Sequence, residues 1–368
     1  MKLDKAKIIV IKVGSSSLVD DKNVLRKKWV KSLCNDIADL NAKGKKVILV
    51  SSGAVALGRN FIANKKDKLK IEEKQAAAAI GQPILMSQYS AAFSFRKVGS
   101  AQILLTLNDI ENRRSYLNAK NTFENLLNNN IIPIVNENDT VATEELKFGD
   151  NDRLSALVAQ MVGADHLIIL SDIDGLYTDD PNKNKNAKHI EIVGNIDEDI
   201  KIFAKGVSSK LGSGGMATKI QAAKIASEFG CCTIITSGQA ESPVKKLIKG
   251  GKHTLFRSGE NPAGARKKWI LNSPTSKGRI VVDDGAAKAL QGKKSLLPIG
   301  IKAVEGTFSR GDKVSVFTAK GKELAKGISA YSSGDIVQIM GRRLAEIEKI
   351  LGFSGREAVI HVDDLVLL

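Results

Sequence analysis

Two segments of the sequence combine glycines, hydroxyl side chains and a lysine in a pattern suited to phosphate binding. Residues 12–17 (KVGSSS) follow an apolar run, and residues 212–219 (GSGGMATK) lead into a helical stretch. Glycines let backbone N–H groups approach an anion, a helix N-terminus favours negative charge, and each lysine adds a positive charge. The second segment lacks the G-x-x-x-x-G-K-[ST] spacing of a Walker A loop, so it indicates a phosphate site of another kind.

Four further polar segments contain carboxylates, carboxamides or serines at the boundaries of apolar runs. They are residues 51–54 (SSGA), 136–139 (NEND), 148–152 (FGDND) and 171–177 (SDIDGLY). Helix capping accounts for one Asp or Asn in residues 148–152, but not for three consecutive polar side chains. An Asn/Asp set can recognise an ammonium and a carboxylate together, so residues 136–139 suggest a binding site for a small zwitterion.

Two lysines, two glycine-rich loops and several acidic turns are the groups that phosphoryl transfer needs. Such catalysis depends on positioning and on neutralising phosphate charge. The motifs contain no histidine, although a hydroxyl acceptor would usually require a general base. A carboxylate acceptor, with a pKa near 4.3, is already ionised at neutral pH. The sequence therefore favours an anionic acceptor and an acyl-phosphate product.

These polar segments are expected to meet at one edge of a parallel sheet. Apolar runs that alternate with amphipathic stretches predict a three-layer α/β/α sandwich with a mainly parallel open sheet. Ligands of such sheets lie beyond the carboxyl ends of the strands, where residues 12–17, 51–54, 136–139 and 171–177 fall. The predicted strands are residues 8–13, 46–50, 101–107, 131–135, 166–170 and 232–235. The predicted helices are residues 27–43, 76–92, 116–127, 152–162 and 218–229, with Pro83 expected to interrupt or start a segment.

The pattern of residues changes in the last third of the chain. Residues 261–277 contain two prolines and a basic cluster, which predicts a linker between a domain at 1–260 and one at 278–368. Short runs separated by turns predict a small, mostly β C-terminal domain, which a barrel would satisfy. The runs are residues 278–282, 299–304, 313–317, 323–328, 335–340 and 358–361.

Composition and charge narrow the class of protein. The chain has 368 residues, three cysteines and a net charge of +16. An odd cysteine count forms no disulfide framework, and no run suits a signal peptide or membrane span, so a cytoplasmic location is expected. The charge is densest in residues 241–277, which hold nine basic and two acidic residues. Because that segment lies apart from the phosphate motifs, the charge does not argue for phosphoryl transfer.

At these motifs the chain resembles the amino-acid kinase superfamily and, within it, the glutamate 5-kinases. Six motifs occur in the family's order within residues 8–219: the Lys-x-Gly start, Ser-Ser-Gly-Ala, Asn-Glu-Asn-Asp, Phe-Gly-Asp-Asn-Asp, Ser-Asp-x-x-Gly-Leu-Tyr and Gly-Gly-Met-x-Thr-Lys. Asn-Glu-Asn-Asp with Phe-Gly-Asp-Asn-Asp points to the glutamate enzymes. The C-terminal part looks like a PUA domain that begins near residues 277–283 (KGRIVVD).

The resemblance implies a role for each matching residue. It implies the amino-acid kinase fold, ATP and Mg²⁺ as cofactors, and L-glutamate as the substrate in the first step of proline biosynthesis. Lys12 and Lys219 would flank the transferring phosphoryl group, and Asp152 would orient both. The glutamate-binding residues would be Ser52, Asp139, Asn151 and nearby Asn136, and the metal ligands are not specified. The ATP-binding residues would be Lys12, Ser171, Asp172, Ser213, Gly214, Gly215, Met216, Ala217, Thr218 and Lys219. Members of the family are commonly homo-oligomers, dimers or tetramers, that proline inhibits.

Two alternatives stay open at the level of sequence. Another member of the superfamily would phosphorylate a different carboxylate or phosphate, and a substrate panel would distinguish it. An RNA-associated protein would also explain a PUA-like domain and a basic chain. Sparse aromatic residues, 5% of the chain, leave few platforms for base stacking, so RNA binding is not expected.

Overall fold

An eight-stranded, mainly parallel sheet carries the polar segments described above. The computed structural model describes residues 3–62, 69–141, 151–205, 215–272, 276–353 and 355–368. The chain divides into two compact units, Met1–Pro262 and Ala263–Leu368.

The first unit alternates strands with helices, as the sequence predicts. Its strands are β1 (Ile8–Val13), β2 (Lys46–Ser51), β3 (Gly99–Leu105), β4 (Ile131–Glu137), β5 (His166–Ser171), β6 (Leu176–Tyr177), β7 (His189–Ile190), β8 (Ile192–Val193), β9 (Cys232–Ser237) and β10 (His253–Phe256). Its helices are α1 (Ser15–Leu18), α2 (Lys27–Ala42), α3 (Ala54–Arg59), α4 (Ile71–Phe95), α5 (Leu107–Glu111), α6 (Arg113–Asn128), α7 (Asn151–Val162), α8 (Glu198–Lys205), α9 (Met216–Glu228) and α10 (Pro243–Ile248).

The sheet has the strand order β3-β4-β2-β1-β5-β9-β10-β8. Every neighbouring pair is parallel except β10 with β9, which is antiparallel. Lys12 of β1 lies in register with Val50 of β2 and Ile169 of β5. The carboxyl ends of the three central strands therefore reach the same edge, and the predicted α/β class with a mainly parallel sheet is confirmed.

Helices cover both faces of the sheet because its strands are apolar on both faces. Along β1, Ile9 and Ile11 belong to one core cluster, which Trp29 of α2 joins. Val10, between them, belongs to the opposite cluster, which Leu154 of α7 joins. Alternate residues of one strand thus feed two separate cores, as expected for a strand buried on both faces.

The prediction that Pro83 interrupts or starts a helical segment is wrong. Helix α4 runs without a break from Ile71 to Phe95 with Pro83 inside it. Proline removes the N–H that would bond to the carbonyl of Ala79. Both residues are exposed, so water can satisfy that carbonyl and the helix tolerates the missing bond.

The α3 and α4 helices touch through their backbones at two glycines. A β-carbon at Gly58 would lie 1.8 Å from the carbonyl oxygen of Ala77, and one at Gly81 would lie 1.8 Å from that of Ala54. No larger side chain fits at either position without separating the helices. This contact fixes α4 against the turn that follows β2.

The second unit has its own sheet and core. Its elements are α11 (Pro262–Asn272), β11 (Gly278–Val282), α12 (Asp284–Gln291), β12 (Ile301–Glu305), β13 (Lys313–Thr318), β14 (Glu323–Ile328), α13 (Ser333–Ile339), α14 (Leu344–Leu351) and β15 (Leu365–Leu367). The strand order is β12-β11-β13-β14-β15. The pair β11–β13 is parallel and the other neighbours are antiparallel.

Two predicted strands of this unit are wrong. Residues 335–340 lie mostly in helix α13, because Ser332 and Asp335 form a capping box and Ile336 and Ile339 are spaced to bury one helix face. Residues 358–361 form no named strand, since Ile360 makes a single bridge to Leu296.

The segment predicted as a linker is largely helical. Residues 261–277 include helix α11, which the composition of the segment did not predict. Pro262 occupies the first position of the helix, where its missing N–H costs nothing. Ile270 of α11 is buried against Ile328 and Val366, so apolar packing holds the helix in the second unit.

Within the ranges that the structure describes, no helix is both long and apolar enough to cross a membrane.

Candidate active site

A buried carboxylate between two lysines forms the centre of the site. Lys12 lies near the end of β1, Asp152 in the first turn of α7 and Lys219 in the second turn of α9. Lys12 Nζ lies 2.6 Å from Asp152 Oδ1, and Lys219 Nζ lies 3.6 Å from Asp152 Oδ2. Thr218 Oγ1 donates to the same Oδ2 at 2.8 Å. The structure thus brings together the three residues that the resemblance names as catalytic.

The charges in this trio shift one another's ionisation. Burial by itself would raise the pKa of Asp152, but the charges of Lys12 and Lys219 and their hydrogen bonds, with one from Thr218, lower it to about 2. Burial lowers the pKa of Lys219, and the charge of Asp152 opposes that shift. Asp152 is therefore fully ionised at neutral pH and holds both ammonium groups at fixed places.

The turn after β1 borders the Lys12 ammonium with backbone and hydroxyl groups. A β-carbon at Gly14 would lie 3.8 Å from Lys12 Nζ and 3.9 Å from Ser16 Oγ, so the backbone of Gly14 approaches both. Arg26 donates to the carbonyl of Ser17 at 3.1 Å and to that of Gln239 at 2.9 Å. This guanidinium ties the turn to the loop that follows β9.

Carboxamides and a serine form a connected network on the β2–β4 side of the trio. Asn151 Nδ2 donates to Ser52 Oγ at 2.9 Å and to Asn136 Oδ1 at 3.0 Å. Asn151 precedes Asp152 in α7, so the network continues directly into the charged trio. Three of the four residues predicted to bind glutamate therefore lie in contact with one another.

The fourth predicted residue, Asp139, lies two residues beyond the end of β4. It is buried, and burial together with the negative charge of Glu137 raises its pKa to about 7. Glu137 is also buried but was not selected from the sequence as a site residue. Glu137 is the second residue of the Asn-Glu-Asn-Asp motif, and this position could have identified it from the sequence. Two acidic groups so close together would attract a cationic group.

Two other groups continue the site at the ends of β5 and at the start of α9. Ser171 is buried, and its Oγ donates to Asp172 Oδ1 at 2.9 Å, while Asp172 itself is exposed. Gly215 caps the N-terminus of α9, and its carbonyl accepts from Thr218 Oγ1 at 2.9 Å.

Four further residues were predicted to bind the nucleotide, and the structure describes two of them, Met216 and Ala217. The side chain of Met216, the first residue of α9, packs in the core, so only its backbone is available for binding. Ala217 follows in the same first turn. Ser213 and Gly214 lie outside the described residues, as do residues 148–150 of the Phe-Gly-Asp-Asn-Asp motif.

The described residues include no group of three or more His, Cys, Asp or Glu side chains that could hold a metal ion. The exposed carboxylate of Asp172, directly after β5, is an oxygen ligand of the kind that a hard divalent cation accepts.

Comparisons with known proteins agree with this geometry. The model of the "Amino acid kinase family" matches residues 7–237, and that of the "PUA domain" matches residues 278–351. The chain is 49% identical over 365 residues to the glutamate 5-kinase of Sinorhizobium fredii, covering 99% of this chain and 93% of that protein. It is 50% identical over 359 residues to the glutamate 5-kinase of Rhizobium etli, covering 98% and 92%.

A solved structure supports the fold independently. The carbamate kinase from Giardia lamblia bound to AMP-PNP aligns with a TM-score of 0.50 and 16% sequence identity. The alignment covers 69% of this chain and 99% of that one. At this identity the likeness concerns the fold alone, which is the open α/β sandwich of the first unit.

Proposed function

We infer that this chain, which belongs to the amino acid kinase family and within it to the glutamate 5-kinases, phosphorylates the side-chain carboxylate of L-glutamate with ATP. The products would be L-glutamyl 5-phosphate and ADP, and the reaction is the first step of proline biosynthesis. The observation that carries the proposal is the bridge that Asp152 makes between Lys12 and Lys219. Two buried cations held at fixed places suit the charge that develops on a phosphoryl group in transfer.

The chemistry requires little from the protein beyond positioning and charge. A carboxylate oxygen of glutamate attacks the γ-phosphorus, a new O–P bond forms, and the bond to the β-phosphate oxygen breaks as ADP leaves. Because the acceptor is ionised at neutral pH, no base is needed, in agreement with a trio whose one carboxylate is bound by both lysines. Lys12 and Lys219 would stabilise the transferring group, and Asp152 would hold them in place.

Glutamate would bind on the carboxamide side of the trio. Ser52 and Asn151 lie in contact with each other, and Asn136 contacts Asn151. Asp139 would bind the α-ammonium group once its own carboxyl is ionised. Since Asn151 and Asp152 are consecutive, this arrangement would place glutamate next to the lysines.

ATP would bind on the β5–α9 side. Ser171 and Asp172 end β5, and the segment from Ser213 to Lys219 leads into α9, whose N-terminus favours phosphate. The exposed carboxylate of Asp172 could hold a Mg²⁺ ion, which would supply positive charge to offset the negative charge of ATP.

Three properties of the family complete the proposal. We expect a homo-oligomer, a dimer or tetramer, that proline inhibits and that works in the cytoplasm. The domains would be the catalytic domain at 1–260 and the PUA-like domain at 278–368. RNA binding by the second domain is not expected, and retention of structured RNA at physiological salt would contradict that expectation.

The deciding experiment is an ATP-dependent hydroxamate assay, in which hydroxylamine traps the acyl phosphate. The panel would contain L-glutamate, N-acetylglutamate and L-aspartate, each with and without proline. We expect hydroxamate from glutamate at a rate far above that from the other two. Faster phosphorylation of N-acetylglutamate or aspartate would overturn the assignment of substrate while leaving the kinase family intact.

A further inference from the structure

A hydrogen-bonded relay connects helix α4 to the carboxamides of the site. Asn136 Nδ2 donates to Gln82 Oε1 of α4 at 2.7 Å. Asn136 Oδ1 accepts from the backbone N–H of Glu137 at 2.9 Å and from Asn151 Nδ2 at 3.0 Å. Gln82 did not emerge from the sequence as a site residue, because it is distant from every motif along the chain.

The backbone dictates which way each amide in the relay faces. The N–H of Glu137 can only donate, so the Asn136 atom that it meets must be the oxygen. The amide nitrogen of Asn136 must then face Gln82, whose oxygen accepts from it. Asn151 must in turn present its nitrogen to Asn136 Oδ1, and the carbonyl of Ser51, 3.3 Å away, requires the same orientation.

With its nitrogen turned towards Asn136 and Ser51, Asn151 has its oxygen, a buried acceptor, on the other side of the amide. Asn151 is 2% exposed, and its Oδ1 has no hydrogen-bond partner within the described residues. A buried carbonyl oxygen without a donor is costly, so a ligand that supplies an N–H would be favoured there. Asn151 also contacts Ser52 and adjoins Asp152, which places this acceptor in the proposed glutamate pocket.

We propose that Gln82 is a positioning residue for recognition of the substrate's α-ammonium group, acting through Asn136 and Asn151. Gln82 holds the Asn136 amide, Asn136 holds the Asn151 amide, and Asn151 Oδ1 accepts from the ammonium. This inference rests on the proposed function, because it names how the same site tells an amino acid from the corresponding dicarboxylate.

The position of Gln82 is itself fixed by the helix contact that precedes it. Gly81 touches the backbone of α3 so closely that a β-carbon there would lie 1.8 Å from the Ala54 carbonyl oxygen. Helix α3 begins directly after the turn that contains Ser52. Gln82 and the turn with Ser52 are therefore attached to one pair of helices that touch backbone to backbone, while Asn136 and Asn151 belong to β4 and α7.

The test compares glutamate with glutarate, which has both carboxylates but no amino group. For Gln82→Leu we expect the KM for glutamate to rise on the order of 10- to 100-fold, as for a lost hydrogen bond to a charged group. The Ki of glutarate as a competitor and the KM for ATP should stay within about twofold, because neither ligand uses the acceptor. Gln82→Glu retains an oxygen that accepts from Asn136, so it should restore most of the affinity for glutamate.

Gln88→Leu, the same substitution six residues along α4, is the matched control and should leave all three constants unchanged. A parallel rise of the glutamate KM, the glutarate Ki and the ATP KM in Gln82→Leu would show a merely structural role and overturn the inference. An unchanged glutamate KM would overturn it as well. If the wild-type enzyme makes no hydroxamate from glutamate, the proposed function fails first, so the two failures are distinguishable.

Discussion

Lys12 and Asp152 are 140 positions apart in the sequence, yet their side chains meet at 2.6 Å in the interior of the first unit. Lys12 is the penultimate residue of β1, and Asp152 is the second residue of α7, which packs on the face of the sheet that carries Val10. A charge pair so deeply buried is a poor source of net stability, because desolvation offsets much of its Coulomb energy. A pair of this kind, with Lys219 on its other oxygen, is better explained by function than by folding.

We predict that Lys12→Ala and Lys219→Ala each lower kcat on the order of 10²-fold or more. Each substitution removes a cation that would stabilise charge in the transition state. Hydroxamate formation at saturating ATP and glutamate measures the change. Lys224→Ala, which alters an exposed lysine further along α9, is the matched control and should keep wild-type turnover. Near-normal kcat in either site variant would contradict the proposed roles.

Asp139 predicts a pH dependence of glutamate binding. Burial and the charge of Glu137 raise its pKa to about 7, so the carboxyl is largely protonated in the free enzyme below that pH. A protonated carboxyl cannot pair with an ammonium, so kcat/KM for glutamate should rise about tenfold from pH 6 to pH 8. The KM for ATP, measured across the same range, serves as the reference.

Asp139→Asn should remove that dependence. The amide does not titrate, so kcat/KM should be low and nearly flat between pH 6 and pH 8. Most of the loss should appear as a raised KM for glutamate, because a binding contact is removed. A variant that keeps the wild-type inflection near pH 7 would show that another group titrates there, and a change in the ATP KM alone would contradict the role.

The stability of the first unit should depend on Asp152 in acid. Its folded-state pKa of about 2 lies below the unfolded value of 3.8, so its contribution is present above pH 4 and is lost as the pH falls towards 2. The shift corresponds to about 2 kcal/mol of unfolding free energy. The free energy of unfolding in urea should be measured for wild type and Asp152→Asn between pH 7 and pH 3. The difference between the two free energies should narrow below about pH 4.

Asp39→Asn is the control for this prediction. Asp39 also forms an ion pair, with Arg96 at 2.7 Å, but both side chains are substantially exposed. Exposed pairs contribute about 1 kcal/mol or less, so the variant should unfold close to wild type at every pH. An Asp152→Asn difference that stays constant down to pH 3 would contradict the assigned pKa direction.

The sheet and its strand ends were predictable because they depend on local apolar runs. Ile8–Val13 and His166–Ser171 are β-branched or leucine-rich stretches with polar residues directly after them, and both are central strands. Burial on both faces of a parallel sheet requires such runs, so sequence and structure agree there. The grouping of Lys12, Asp152 and Lys219 was implied by the family resemblance rather than by the strand pattern, because Asp152 and Lys219 lie at the starts of helices.

The predictions of secondary structure and of site residues were wrong or incomplete where side-chain packing and capping determine the structure. Residues 335–340 resembled a strand, but the Ser332 capping box and the burial of Ile336 made them helical. Helix α11 within the predicted linker was not foreseen, because Ile270 packs against Ile328 and Val366, which are distant in the sequence. Gln82 was missed for a related reason, since its contact with Asn136 joins residues 54 positions apart. No local pattern reports a contact of that kind.

The backbone contact between α3 and α4 gives the last prediction. A methyl group at Gly81 would lie 1.8 Å from the Ala54 carbonyl oxygen, so Gly81→Ala must push the helices apart. We expect a loss of on the order of 3 kcal/mol in unfolding free energy, as for overpacking against a rigid backbone. Because the displaced helices carry Gln82 and the turn at Ser52, the KM for glutamate should rise in the protein that remains folded. Gly194→Ala, where a β-carbon meets no atom within 4 Å, should change neither quantity. A Gly81→Ala enzyme as stable as wild type in urea would mean that the helices can separate without cost, and the rigid support assigned to the amide relay would then be wrong.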